Sequence, residues 1–166
     1  MTNNSTILLD AQKDGDRLVE LLRDGSILPL TVTGYSMIPL LKPGRDVVWL
    51  RACTPDELKP GRILFFRRPD GHFILHRIRA VDDDGCLIMN GDAQTWTEKI
   101  PPSAAVAVVH AITRNGRKLS PGSIGMKLWD AVWYPTRPIR PALFRCYTTV
   151  KRTLSGEKSN PQRGNQ

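Results

Sequence analysis

Within the otherwise polar stretch 10–24, leucines 18, 21 and 22 recur at helical spacing, and Gly25 follows as a stop signal. The pattern predicts one short amphipathic helix. From "ILPLTVTG" at 27–34 onward the grain changes to short β-type runs: 46–51, 62–68, 73–81, 86–89 and 104–113. Between them stand "TPDELKPG", "RPDG", "DDDG" and "RNG", all turn material rich in Pro, Gly and Asp. Short strands so closely spaced predict a mainly β fold, either a sandwich or a partly open barrel. After Gly122 the pattern shifts to Trp129, Trp133, Tyr134, Phe144 and Tyr147 mixed with Lys127, Arg137, Arg140, Arg145, Lys151 and Arg152. The residues after 153 are polar and offer nothing to bury, so they are expected to carry no packed structure. This divides the chain into an N-terminal helical segment (1–26), a β domain (27–120), a C-terminal amphipathic, aromatic and basic segment (121–153) and a tail (154–166).

Length and charge narrow the function classes. A chain of 166 residues is long enough for one domain with a real core and too short for two. Its net charge of +8 favours anionic surroundings, whether nucleic acid, lipid or acidic peptide, without choosing among them. Cys53, Cys86 and Cys146 form neither a CxxC pair nor a zinc-ligand spacing, so they read as core or incidental thiols, with no metal site and no cofactor expected. The first residues lack a basic stretch followed by an apolar one, and no run of about 18 apolar residues occurs. The expectation is a chain either cytoplasmic or held at a membrane surface by a shorter device.

The chemistry concentrates in three stretches. In "TVTGYSMIPLLKPGRDV", Ser36 lies between Tyr35 and Met37, two residues after Gly34 and three before Pro39. Gly34 permits close approach of backbone or substrate, and Pro39 stiffens the exit, so the hydroxyl is expected at an exposed strand end. A serine there becomes a nucleophile only if a base takes its proton and nearby amides receive the oxyanion. Gly34, Tyr35, Met37 and Pro39 are the candidate oxyanion and substrate-binding positions. In "GHFILHRIRAV", alternation sets His72, Ile74 and His76 on one strand face and Phe73, Leu75 and Arg77 on the other. His76, some forty residues after Ser36, is the candidate base; His72 adjoins a turn and is expected at the surface. In "LIMNGDAQTWTEKI", Asp92 is the candidate carboxylate that orients His76, and Glu98 is the second candidate acid.

Taken in order, "GYSMIPLLKPGRDVV", "KPGRILFF…FILHRI" and "MNGDA" resemble the core of the signal peptidase I family, whose clan includes the LexA-type repressor proteases. The likeness spans about residues 30–110. It points to the branch that uses histidine as base, as in the endoplasmic reticulum signal peptidase. The resemblance implies a partly open β-barrel in which Ser36 is the nucleophile, His76 the base and Asp92 the acid, with Glu98 where that branch usually carries a further Asp. It also implies a serine endopeptidase that cuts an extended signal or leader peptide after small residues. Two departures stand out: no transmembrane helix precedes the serine, and Gly34 occupies a position where many members carry an oxyanion-hole serine.

The expected partner is thus a peptide or precursor-protein substrate. Residues 123–154 are the candidate contact with an anionic membrane surface, because aromatic rings beside basic heads suit the headgroup boundary. A different reading takes the chain as a non-catalytic basic β-domain that binds nucleic acid or an acidic partner. In its favour, "LFFRRPDGHFILHRIR" interleaves aromatics with arginines. Against it, no helix-turn-helix, zinc finger or RNA-binding box is present, and nucleic acid is the less favoured partner.

Overall fold

The computed structural model describes residues 13–120 together with 123, 128 and 131–133. The expectations for the tail, for residues 1–12 and for most of the C-terminal segment lie outside the described residues. One helix, α1 (Gly15–Arg23), precedes eight strands: β1 (Leu28–Thr31), β2 (Asp46–Ala52), β3 (Ile63–Arg67), β4 (Phe73–Val81), β5 (Leu87–Asn90), β6 (Glu98–Ile100), β7 (Ala105–Arg114) and β8 (Arg117–Leu119). Helix α1 is shorter than the predicted stretch 10–24. It ends where the sequence places the stop: Gly25 takes φ +86°, and the amides of Gly25 and Ser26 donate to the carbonyls of Leu22 and Leu21. That double closure satisfies two end carbonyls in a conformation glycine adopts without strain.

All strands pair antiparallel in one sheet of order β1-β2-β7-β3-β4-β5-β6, with β8 attached to β7. The mainly β expectation holds as an antiparallel eight-stranded sheet whose end strands β1 and β6 do not pair, so it is not closed into a barrel. Both faces are nonetheless covered. The "ILFF" run of β3 shows why: Ile63 and Phe65 point into one cluster with Leu18, Leu22, Val48 and Phe73, while Leu64 and Phe66 point into another with Ile78, Met89 and Ile100. A continuous apolar run is what a strand buried on both sides requires. Leu18 and Leu22 are buried, each contributing on the order of 2 kcal/mol by leaving water, and this seats α1 on the first cluster.

The register of β4, β5 and β6 positions the chemistry. Ile78 pairs with Met89, and Met89 pairs with Glu98, so the side chains of 78, 89 and 98 share a face. His76 lies two residues before Ile78 and shares it too. Arg77 pairs with Asn90 and points the other way. Among the described residues no helix is long and apolar enough to cross a membrane.

Candidate functional site

Ser36 sits in the turn that follows β1, before the chain returns as β2. This loop is closed by its own ends. The amide of Gly44 donates to Val32 O at 3.0 Å, and that of Val32 donates to Asp46 O at 3.1 Å. Beneath it lies the buried carboxylate of Asp46. Its Oδ1 accepts from Arg45 Nε and Arg114 Nε, both at 3.0 Å, and its Oδ2 accepts from the Lys42 amide at 2.8 Å. Arg114 also donates to the carbonyl of Leu40, so a β7 side chain grips the loop directly. Burial alone would raise the Asp46 carboxyl, but hydrogen bonds from Arg45, Arg114 and Lys42 outweigh it and hold it at about 2.

On its other side the loop meets the segment after β5. The amide of Ala93 donates to Ser36 O at 2.8 Å. A Cβ on Gly91 would stand 2.7 Å from that same oxygen and 2.6 Å from Gln94 Oε1, so residue 91 has to be glycine for the two loops to touch. Asn90 Nδ2 donates to the carbonyls of Gln94 at 3.2 Å and Trp96 at 2.5 Å, which curls the segment toward β6. Gly91→Ala is expected to push the Ser36 backbone away, lowering the thermal midpoint by several degrees, as about 1 kcal/mol of overpacking does, and any Ser36-dependent activity by far more. Circular dichroism melts beside active-site labelling would read both effects.

A cleft of about 720 Å³ opens here, lined by Thr33, Gly34, Ser36, Met37, Arg68, His76, Gln94 and Trp96 among others. The structure therefore brings Ser36 and His76 to one cavity. Gly34 keeps space open: a Cβ built on it meets no atom within 4 Å. Met37 is buried and forms wall and core together, whereas Tyr35 is 72% exposed and Pro39 faces solvent.

His76 is the buried one of the three histidines; His72 is exposed on its turn beside Asp70, and a bulge between β2 and β7 leaves His110 outside. Nδ1 of His76 lies 2.9 Å from Glu98 Oε1. Asp92, the first candidate for that place, instead accepts from Arg77 through both oxygens, at 3.0 and 2.9 Å, in a buried pair. The register explains the exchange: Glu98 shares the His76 face, and Arg77 and Asn90 share the opposite one. Asp92 still acts on His76 at longer range, as a charge favouring protonation.

Arg68 completes the arrangement, and nothing in the sequence pattern singled it out. Its Nε donates to Glu98 Oε2 at 2.6 Å and its terminal nitrogen to Oε1 at 2.8 Å. Burial would raise the Glu98 carboxyl, but Arg68 and then His76 hold it below the usual carboxylate range. Burial pushes the His76 imidazole below its ordinary value of 6.5, against the opposing pull of Glu98. The result is a neutral imidazole whose Nδ1 faces an ionised carboxylate, which directs the ring proton to Nδ1 and leaves Nε2 as the basic nitrogen.

The aromatics and arginines that suggested a nucleic-acid surface are engaged within the fold. Phe65, Phe66 and Phe73 are buried, while Arg67, Arg68 and Arg77 pair with Asp16, Glu98 and Asp92. Cys53 and Cys86 are free, half-buried thiols. Among the described residues no three His, Cys, Asp or Glu side chains gather as a metal site. In the C-terminal segment, Trp133 Nε1 donates to Asp92 O at 3.1 Å, while Leu128 and Val132 are exposed. Comparison with family models, curated proteins and solved structures finds no match.

Proposed function

We propose that the chain is a serine endopeptidase of the signal or leader peptidase type. One observation carries the reading: Ser36 and His76 line a single cleft, with Nδ1 of His76 on Glu98. In the proposed reaction Ser36 Oγ attacks the carbonyl of an extended peptide, and Nε2 of His76 takes the hydroxyl proton. Main-chain amides around Ser36 receive the oxyanion. His76 then returns the proton to the leaving amine, and water, activated by the same imidazole, releases the acyl group. Glu98 orients the imidazole and stabilises its transient positive charge. Cleavage after small residues follows from the family resemblance.

The test is reaction with a fluorophosphonate, followed by peptide mapping, beside cleavage of a peptide with Ala-x-Ala before the scissile bond. The expected adduct is on Ser36, and the peptide is cut after the second Ala. A wild-type protein that takes no label and cuts no such peptide overturns the reading. Because burial lowers the His76 pKa, the base stays neutral further into acid than a free imidazole. The acid limb of kcat/KM is therefore expected below pH 6.5, the ordinary imidazole value, and a limb above it would contradict the assignment.

A further inference from the structure

Arg68 leaves the end of β3 on the tight turn to β4, where its amide donates to His72 O at 2.9 Å and its carbonyl accepts from Gly71 at 2.9 Å. Its backbone is therefore fixed by the hairpin that also delivers His76. The guanidinium forks onto Glu98, and Glu98 Oε1 is shared between Arg68 and Nδ1 of His76. Trp96, half exposed, covers both groups: its ring lies edge-on to the imidazole at 6.2 Å between centroids, and the guanidinium carbon stands 6.0 Å over it. Four side chains from two hairpins and a loop thus form one contact chain that ends in the cleft.

Such a chain separates two tasks. A forked pair fixes the carboxylate in one orientation, which a single ammonium does not do. A fixed positive charge beside that carboxylate also offsets its tendency to draw a proton onto the imidazole. The charged groups facing His76 are Glu98 from β6, Arg68 from the β3–β4 turn and Asp92 from the segment after β5, with Lys13 ahead of α1 lining the same cleft.

We infer that Arg68 is a positioning residue for the Ser36–His76 site: its fork holds Glu98 against Nδ1 of His76, and its charge, set on that same carboxylate, offsets the carboxylate's pull on the imidazole proton. The inference rests on the peptidase reading for its effect on turnover, but not for its effect on His76. The experiment therefore has two readouts on the full chain: imidazole nitrogen NMR across pH, and kcat and KM against pH with the Ala-x-Ala peptide. In Arg68→Met both fork and charge are lost. His76 is expected to titrate at least about half a pH unit higher, and kcat at neutral pH to fall about 10- to 100-fold with KM little changed. In Arg68→Lys the charge remains without the fork: the titration midpoint stays near wild type while kcat still falls about tenfold.

An unchanged midpoint in Arg68→Met, or a full wild-type kcat in Arg68→Lys, overturns the role of the charge or of the fork respectively. If Arg68→Met does not fold, the kcat of Arg68→Lys still decides the fork, and Arg68→Gln, which also removes the charge, repeats the titration test of the charge. A shifted midpoint in a protein whose wild type cleaves nothing would leave Arg68's hold on His76 standing and remove the peptidase reading alone.

Discussion

Replacing Glu98 with Gln is expected to lower kcat by about 10³- to 10⁴-fold while leaving the fold intact, whereas Asp92→Asn is expected to do the reverse. Glu98 presents two oxygens to three donors, Nδ1 of His76 and two nitrogens of Arg68. An amide can satisfy only part of that set. With its nitrogen toward His76, it forces the ring proton onto Nε2, so the base can no longer accept from Ser36. With its nitrogen toward Arg68, donor faces donor across a contact of 2.6 Å and the side chain swings off. Either way the imidazole loses its orienting anion. His76→Ala should remove at least as much, about 10⁴-fold, or roughly 5.5 kcal/mol of transition-state stabilisation.

Asp92→Asn removes the charge facing a buried guanidinium, and breaking such a pair costs about 3 to 5 kcal/mol. It should lower the thermal midpoint sharply, with kcat per folded molecule much closer to wild type than in Glu98→Gln. Melts beside burst-titrated kcat separate the two carboxylates. Should Asp92→Asn lose turnover at an unchanged midpoint, the assignment of Glu98 as the orienting acid is wrong.

Those two carboxylates also mark where sequence reasoning stops. Ser36 and His76 were legible as candidates because a serine bracketed by glycine and proline, and a histidine on an alternating strand, stand out in local spacing. Choosing between Asp92 and Glu98 requires the register of β4, β5 and β6, and a one-residue slip would exchange the faces. No local pattern contains that register. Strand β6 has only three residues, "EKI", too few to display alternation, and β8 is as short. Their edges were therefore invisible, whereas β4, nine residues long, was delimited by its period. Arg68 was not singled out for a related reason: it closes the predicted run 62–68 and opens "RPDG", and only the return of the chain as β6 gives it Glu98 as a partner. The mainly β class was legible in the strand spacing, which reports how often the chain turns back but not which strands pair.

Asp46→Asn is expected to destabilise the chain by about 2 kcal/mol or more, lowering the thermal midpoint by roughly 10 °C, and to loosen the serine loop before the rest of the fold. The size follows from its carboxyl, held at about 2 against an ordinary value of 3.8. Because the folded value is the lower one, the ionised carboxylate stabilises the native state fully above pH 3.8. That contribution is lost as pH falls through 3.8 toward 2. His76 adds an earlier loss: burial favours its neutral form, so the unfolded chain takes up a proton more readily once pH drops below 6.5. Wild type should therefore weaken in two steps under acid, the second shared with other lowered carboxylates such as Glu57 and Glu98, and in Asp46→Asn that second step should be smaller.

The local effect has its own readout. Leu41 and Gly44 amides donate to Met37 O and Val32 O within the loop that Asp46 holds to Arg45, Lys42 and Arg114. Their hydrogen exchange should speed up in Asp46→Asn more than that of β3 or β4 amides, because those strands are secured by both apolar clusters. Uniform acceleration across the sheet would mean that Asp46 supports the whole domain and has no special grip on the loop. Selective acceleration, with turnover falling alongside, would tie the placement of the Ser36 hydroxyl to a carboxylate that never reaches the cleft.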